Sequence, residues 1–187
     1  MSFLTIIILA IGLSVDSFAA SISTGVCMRR IRISESLKVA TYMAVFQGGL
    51  PIVGWLIGRG FQKTISSYDH WVAFILLLII GGKMIYESIA KKEDDTTYFC
   101  PSNTLMLMGI ALATSIDALV VGVGIGVLDN LIWVPALIIG ITTFLFSFSG
   151  IYIGHHLGHR INLKLEIIGG LVLIGLGTKI LVEHTMV

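Results

Sequence analysis

Six stretches of the chain are almost wholly apolar, at roughly 3–27, 36–58, 70–90, 103–128, 131–154 and 163–184. About 20 apolar residues suffice to cross the hydrocarbon of a bilayer as a helix, and each stretch meets that length. The pattern predicts an all-α polytopic membrane protein with six transmembrane helices. Linkers are short except between Lys91 and Asn103, where Lys91-Lys92-Glu93-Asp94-Asp95 and Pro101 form the expected hinge between two halves, 1–95 and 96–187. Three spans per half is an odd number, so the halves must have opposite orientations, which predicts a 3+3 inverted repeat of the kind common in secondary transporters.

The repeat can be counted. An offset of 101 takes Asp16 to Asp117, Ser14 to Ser115 and Gly25 to Gly126. An offset of 96 takes Gly54, Gly58, Gly81, Lys83 and Glu87 to Gly150, Gly154, Gly177, Lys179 and Glu183, so five residues are lost between the first and second helix of the second half.

Composition agrees with this class: of 187 residues 56% are hydrophobic and 12% charged, with mean hydropathy +0.96. A soluble chain carries about twice that charge fraction. The net charge of +1 says nothing about nucleic acid, but no basic cluster with interleaved aromatics is present, so no nucleic-acid partner is expected. Cys27 and Cys100 have no CxxC or Cys/His spacing and are expected to be small unpaired residues near helix ends. No secretory leader is expected, because the N-terminus lacks a basic n-region. Flanking charge gives an orientation. Arg29, Arg30, Arg32, Lys38, Lys91, Lys92, Arg160 and Lys164 follow odd-numbered spans, against Arg59 and Lys63 on the other side. The positive-inside rule then places both termini outside.

Two lone aspartates stand out against this background. Asp16 is the one charge between Met1 and Met28, and Asp117 the one charge between Thr96 and Leu128. A mid-membrane carboxylate costs about 2.5–3.5 kcal/mol on insertion scales. Two cost roughly 5–7 kcal/mol, comparable to the stability of a small domain. A polar site that uses them, on an ion or proton pathway, is the default reading. In an inverted repeat they would meet near the midplane.

Neighbouring polar residues divide between packing and ligation. Ser14, Ser17, Ser21 and Thr24 form a stripe that either bonds back to its own helix or faces the site. Thr114 lies one turn before Asp117. Gly122, Gly124 and Gly126 signal either tight packing or a local break exposing carbonyls. Gln47 and Thr143 occupy equivalent positions and offer neutral oxygens. Lys83 and Glu87 are candidate charge partners or gating groups, and Glu166 opens the sixth span. His155, His156 and His159 are expected to be interfacial beside Arg160. Metal ligands are thus expected from Asp16, Asp117, Gln47, Thr143, Ser17 and Thr114. Oxygen donors of this kind suit Mg²⁺, Ca²⁺ or Mn²⁺, and composition does not separate the three.

The blocks Asp16-Ser17-Phe18-Ala19-Ala20-Ser21, Ala113-Thr114-Ser115-Ile116-Asp117-Ala118, Gly81-Gly82-Lys83-Met84-Ile85 and Glu166 to Gly175 resemble the signatures of the bacterial manganese efflux pump family, part of the wider lysine-exporter-like superfamily. The resemblance covers essentially the whole chain. It implies Mn²⁺ export across a bacterial inner membrane with Asp16 and Asp117 as the matching acids, Mn²⁺ being substrate rather than cofactor. Many members have Ala at the position of Ser17, and some carry Glu at that of Gln47.

No nucleotide-binding motif supplies ATP energy, and expelling a divalent cation against an inside-negative potential costs about 4.6 kcal/mol per 100 mV. Exchange for H⁺ by alternating access, with the aspartates giving up to two protons to the cytoplasm as Mn²⁺ binds, would be electroneutral. The alternatives are export of another divalent cation or of a cationic amino acid. An intramembrane aspartyl protease is disfavoured, because neither segment carries a Tyr-Asp or Gly-x-Gly-Asp pattern, so no enzyme is expected.

Overall fold

The computed structural model describes residues 3–28, 30–65, 103–128 and 130–157, together with Ile75, Leu78, Ile79, Gly82, Tyr86, Ile174, Gly175 and Thr178 individually. The described elements are helices: α1 (Phe3–Cys27), α2 (Ile33–Ile65), α3 (Thr104–Thr114), α4 (Ile116–Val127) and α5 (Trp133–Leu157). Phe3–Cys27, Ile33–Gly60 and Trp133–His156 are each long and apolar enough to cross a membrane, and α3 with α4 adds a fourth crossing if the bent pair is one span. The individually described residues of the third and sixth apolar stretches are helical. The described residues are therefore those of a helical polytopic membrane protein.

The expected fourth span, 103–128, is a bent pair: it breaks at Ser115 rather than at the Gly122-Gly124-Gly126 triplet, and its two halves meet at 43°. Thr114 Oγ1 donates to the carbonyls of Ile110 and Ala111, at 3.0 and 3.2 Å, and Ser115 Oγ donates to Ala111 at 2.7 Å. Consecutive hydroxyls bonding back into the preceding turn bend a helix. α3 starts cleanly because Asn103 Oδ1 accepts from the Met106 N–H at 2.8 Å, an N-cap.

α2 is longer than the expected 36–58. It begins at Ile33 where Glu35 and Ser36 donate backbone bonds to the Arg32 carbonyl. In the repeat register its start corresponds to residue 129, four before the start of α5. Most of the five residues missing from the second half are thus a missing first turn of helix.

Two close seams hold the described helices together. In one, α1 lies along α5: Gly25 abuts Ile151, Gly150 abuts Phe18 and Ser21, and Gly154 abuts Ile22. In the other, α2 lies along α4: Gly54 abuts Leu119, Gly58 abuts Val123, Gly122 abuts Pro51, and Gly126 abuts Trp55. A Cβ on Gly25, Gly58 or Gly154 would overlap a carbonyl oxygen of the facing helix, so only glycine permits the approach. In lipid, where no hydrophobic force drives helix onto helix, such backbone proximity supplies the packing energy. Contact positions rise together within each seam, so each pair runs parallel. Gly48 with Ala136 and Gly140, and Gly140 with Ala44, show α2 and α5 crossing in opposite senses. α1 and α4 consequently run in opposite directions.

The contacts of the two seams share one register. Phe18 and Ile22 become Leu119 and Val123 at an offset of 101, while Gly54, Trp55 and Gly58 become Gly150, Ile151 and Gly154 at an offset of 96. Gly122 and Gly126 serve tight packing inside an unbroken helix, which decides between the two readings of that triplet.

Cys27, expected to be unpaired, is disulfide-bonded. The sequence has one other cysteine, Cys100, which lies outside the described residues. At the same end of α1, His155 Nδ1 pairs with the Met28 carbonyl at 2.8 Å, while His156 Nδ1 pairs with the Tyr152 carbonyl of its own helix. His159 lies outside the described residues.

Candidate metal site

Asp16 is half-buried near the middle of α1, between Val15 and the fully buried Ser17. The helix places Leu13, Ser14 and Ser17 within one turn of it. Gln47 of α2, also fully buried, donates from Nε2 to the Leu13 carbonyl at 2.8 Å. A carbonyl can only accept, so this bond sets the amide orientation and turns Oε1 toward Ser17, whose hydroxyl donates to it across 3.5 Å. Ser14 Oγ donates to the Ala10 carbonyl at 2.7 Å and meets Thr143 Oγ1 of α5 at 2.9 Å. Since the Ser14 proton is committed to Ala10, Thr143 is the donor in the second bond. One turn of α1 is thereby tied to both α2 and α5 by polar groups with no solvent exposure.

Asp117 is half-buried in the first turn of α4. Its Oδ1 accepts from the Ala118 backbone N–H at 2.7 Å. The broken helix thus offers the carboxylate a helix N-terminus, where backbone N–H groups and the macrodipole favour negative charge. Thr114 Oγ1 also lies 3.8 Å from Met43 Sδ of α2. Leu13 and Val15 beside Asp16, and Ala118 beside Asp117, belong to one apolar cluster that also takes in Ile139 and Trp55.

Of the expected ligands, Ser17 and Gln47 come together directly. Thr143 pairs with Ser14 rather than with Gln47, and Thr114 turns to its own helix and to Met43. Lys83, Glu87 and Glu166 lie outside the described residues. Among the described residues, no three His, Cys, Asp or Glu side chains gather into a cage.

One contributor escaped the sequence reading. Pro51 lies inside α2 and has no N–H to return to the carbonyl of Gln47. The Gln47 carbonyl therefore lacks its usual i+4 donor, on the residue whose side chain already faces Ser17. The signal was available, since a proline within an apolar span marks a disturbed ladder.

The helices and this polar mid-span cluster define a multi-pass membrane protein with acidic groups inside its bundle. The family model described as "Putative manganese efflux pump" matches residues 30–181. A Crocosphaera subtropica protein named "Putative manganese efflux pump MntP" is 47% identical over 183 residues, covering 98% of this chain and 97% of its own. Proteins of the same name from Rippkaea orientalis and Methanosarcina acetivorans are 46% and 45% identical, each covering 100% of this chain and 100% and 99% of their own. The chain belongs to the manganese efflux pump family. No solved structure matches it.

Proposed function

We propose that the protein exports Mn²⁺ from the cytoplasm through a mid-membrane site built on Asp16 and Asp117. The observation that carries this reading is the pair of half-buried carboxylates, each lodged in a helix otherwise free of charge, with Ser17 and Gln47 ordered beside the first and a helix N-terminus beneath the second. The relatives' names supply the metal, and oxygen donors suit it. Gln47, Thr143, Ser17 and Thr114 are the neutral members of the site, with the Gln47 carbonyl added.

Two features support alternating access through a 3+3 inverted repeat of 1–95 and 96–187. The seam contacts repeat at the register read from the sequence, and α1 opposes α4 in direction. Exchange of one Mn²⁺ for two protons keeps the cycle electroneutral, with the two carboxylates as the proton carriers. Lys83, Glu87 and Glu166 remain candidate gating groups. The protein sits in the bacterial inner membrane with both termini outside, by the excess of basic residues after the odd spans.

The test is Mn²⁺ content in cells lacking their own exporter, with Asp16→Asn, Asp117→Asn and the unaltered protein at matched membrane levels. The unaltered protein lowers cell Mn²⁺ and both variants leave it high. Normal export by either variant would remove that aspartate from the site.

A further inference from the structure

Hydroxyls buried on these helices find partners as a rule. Ser14, Thr24 and Ser115 bond back one turn to Ala10, Ala20 and Ala111, and Ser17 reaches Gln47. Ser21, Ser36 and Ser147 depart from it: each has no solvent exposure, and its hydroxyl has no hydrogen-bond partner. Ser36 stands in the first turn of α2, and the other two lie on α1 and α5. Buried polar atoms without a partner are uncommon and call for water, an ion or a ligand.

The two serines belong to the same seam. Ser21 Cβ lies 3.2 Å from where a Cβ on Gly150 would sit, and Ser147 is three residues before Gly150, on the same face of α5. The parallel seam is pinned by Ser14 and Thr143 at one level and by Met28 and His155 at another. Ser21 and Ser147 fall between these levels. Ser21 is one helical turn beyond Ser17, which already faces Gln47.

The matching seam provides an internal control. In the repeat register Ser21 corresponds to Gly122 and Ser147 to Pro51, and there bare backbone meets backbone, the Gly122 α-carbon lying against the Pro51 carbonyl. Close packing at this point therefore needs no hydroxyl. The α1–α5 seam carries two where the α2–α4 seam carries none.

We propose that Ser21 and Ser147 form a second, neutral-oxygen subsite that receives partly hydrated Mn²⁺ between the level of Asp16 and the Met28–His155 end of the seam. Hydroxyl oxygens suit a hard divalent cation that retains several waters, and their lack of charge lets the ion leave as readily as it arrives. By the basic residues that follow α1, that end is the cytoplasmic one, so the subsite lies on the entry route. This inference rests on the Mn²⁺ export reading above.

The experiment is Mn²⁺ flux into proteoliposomes carrying an internal Mn²⁺-sensing dye. It compares the unaltered protein with Ser21→Ala, Ser147→Ala, Ser21→Cys, Ser147→Cys, Asp16→Asn and the control Ser149→Ala, whose exposed hydroxyl bonds within α5. Each alanine variant is expected to lower flux about tenfold, the scale of a lost supporting oxygen at a metal site. Thermal stability should be unchanged or raised, because an unsatisfied hydroxyl is removed. The cysteine variants are expected to become more sensitive to competing Cd²⁺, since a thiolate prefers the softer ion. A purely structural role would not move that selectivity.

Normal flux in both alanine variants, with Asp16→Asn inactive, overturns the subsite and leaves the aspartate site standing. Lowered flux with no change in Cd²⁺ competition overturns it as well, and assigns the serines to packing. Absence of Mn²⁺ flux in the unaltered protein overturns both readings.

Discussion

Asp16 sits inside an unbroken helix, whereas Asp117 sits two residues after a break, although the sequences around them are alike. Leu13-Ser14-Val15-Asp16 and Thr114-Ser115-Ile116-Asp117 share the serine two positions before the acid, and in both cases it bonds back one turn, to Ala10 and to Ala111. The difference lies one residue earlier. Leu13 has no side-chain polar group and surrenders only its carbonyl, to Gln47. Thr114 adds a second hydroxyl aimed at the carbonyls of Ile110 and Ala111, and the helix bends by 43°. A single side-chain oxygen thus separates a carboxylate within a continuous helix from one at the N-terminus of its own.

The largest expected effect comes from erasing that difference. Thr114→Leu gives the second half the residue of the first, and should straighten the span and withdraw the N-terminal amides from Asp117. Mn²⁺ flux in proteoliposomes is then expected to fall by roughly 10- to 100-fold, the range seen when support for a metal ligand is lost. Thr114→Ser keeps the hydroxyl and should retain most of the flux. If Thr114→Leu transports like the unaltered protein, the bend does not serve the site.

A smaller effect tests whether the seams are equivalent. Gly58→Ala and Gly154→Ala occupy matching places, and each new methyl meets a carbonyl, of Val123 or of Ile22. Both should destabilise the protein by about 1–3 kcal/mol, the usual scale of overpacking. The measure is the thermal unfolding midpoint in detergent. Tolerance of one and not the other would mean that one seam loosens where the other stays rigid.

The smallest effect lies at the seam ends. On α2 the Arg59 guanidinium stands 4.9 Å over the Trp55 ring, whose indole N–H donates to the Asn130 carbonyl at 2.8 Å. The matching residue on α5 is His155, which pairs with Met28. Arg59→Ala should cost about 0.5–1 kcal/mol, as for an exposed cation–π contact. Mn²⁺ flux should be unchanged, and an altered flux would draw this end of the seam into transport.

Part of the architecture was readable from the sequence. Hydropathy depends on local composition, so the apolar stretches at 3–27, 36–58 and 131–154 announced helices long enough to cross a membrane, and 103–128 announced the bent pair. The glycine register followed from spacing, because a helix converts spacing into faces, and the two aspartates stood out as lone charges in apolar stretches.

What folded geometry alone decided was pairing. Gly122, Gly124 and Gly126 carried both a packing and a break reading, and the break fell instead at Ser115, where two hydroxyls found carbonyls within 3.2 Å. Gln47 and Thr143 were equivalent by count, yet one reaches a carbonyl and the other a serine. Ser14, Ser17, Ser21 and Thr24 formed one stripe in the sequence, and only the seam separated the three that are satisfied from the one that is not. Such outcomes turn on distances of a few tenths of an ångström between helices, set by which backbone approaches which glycine, and no single helix encodes them.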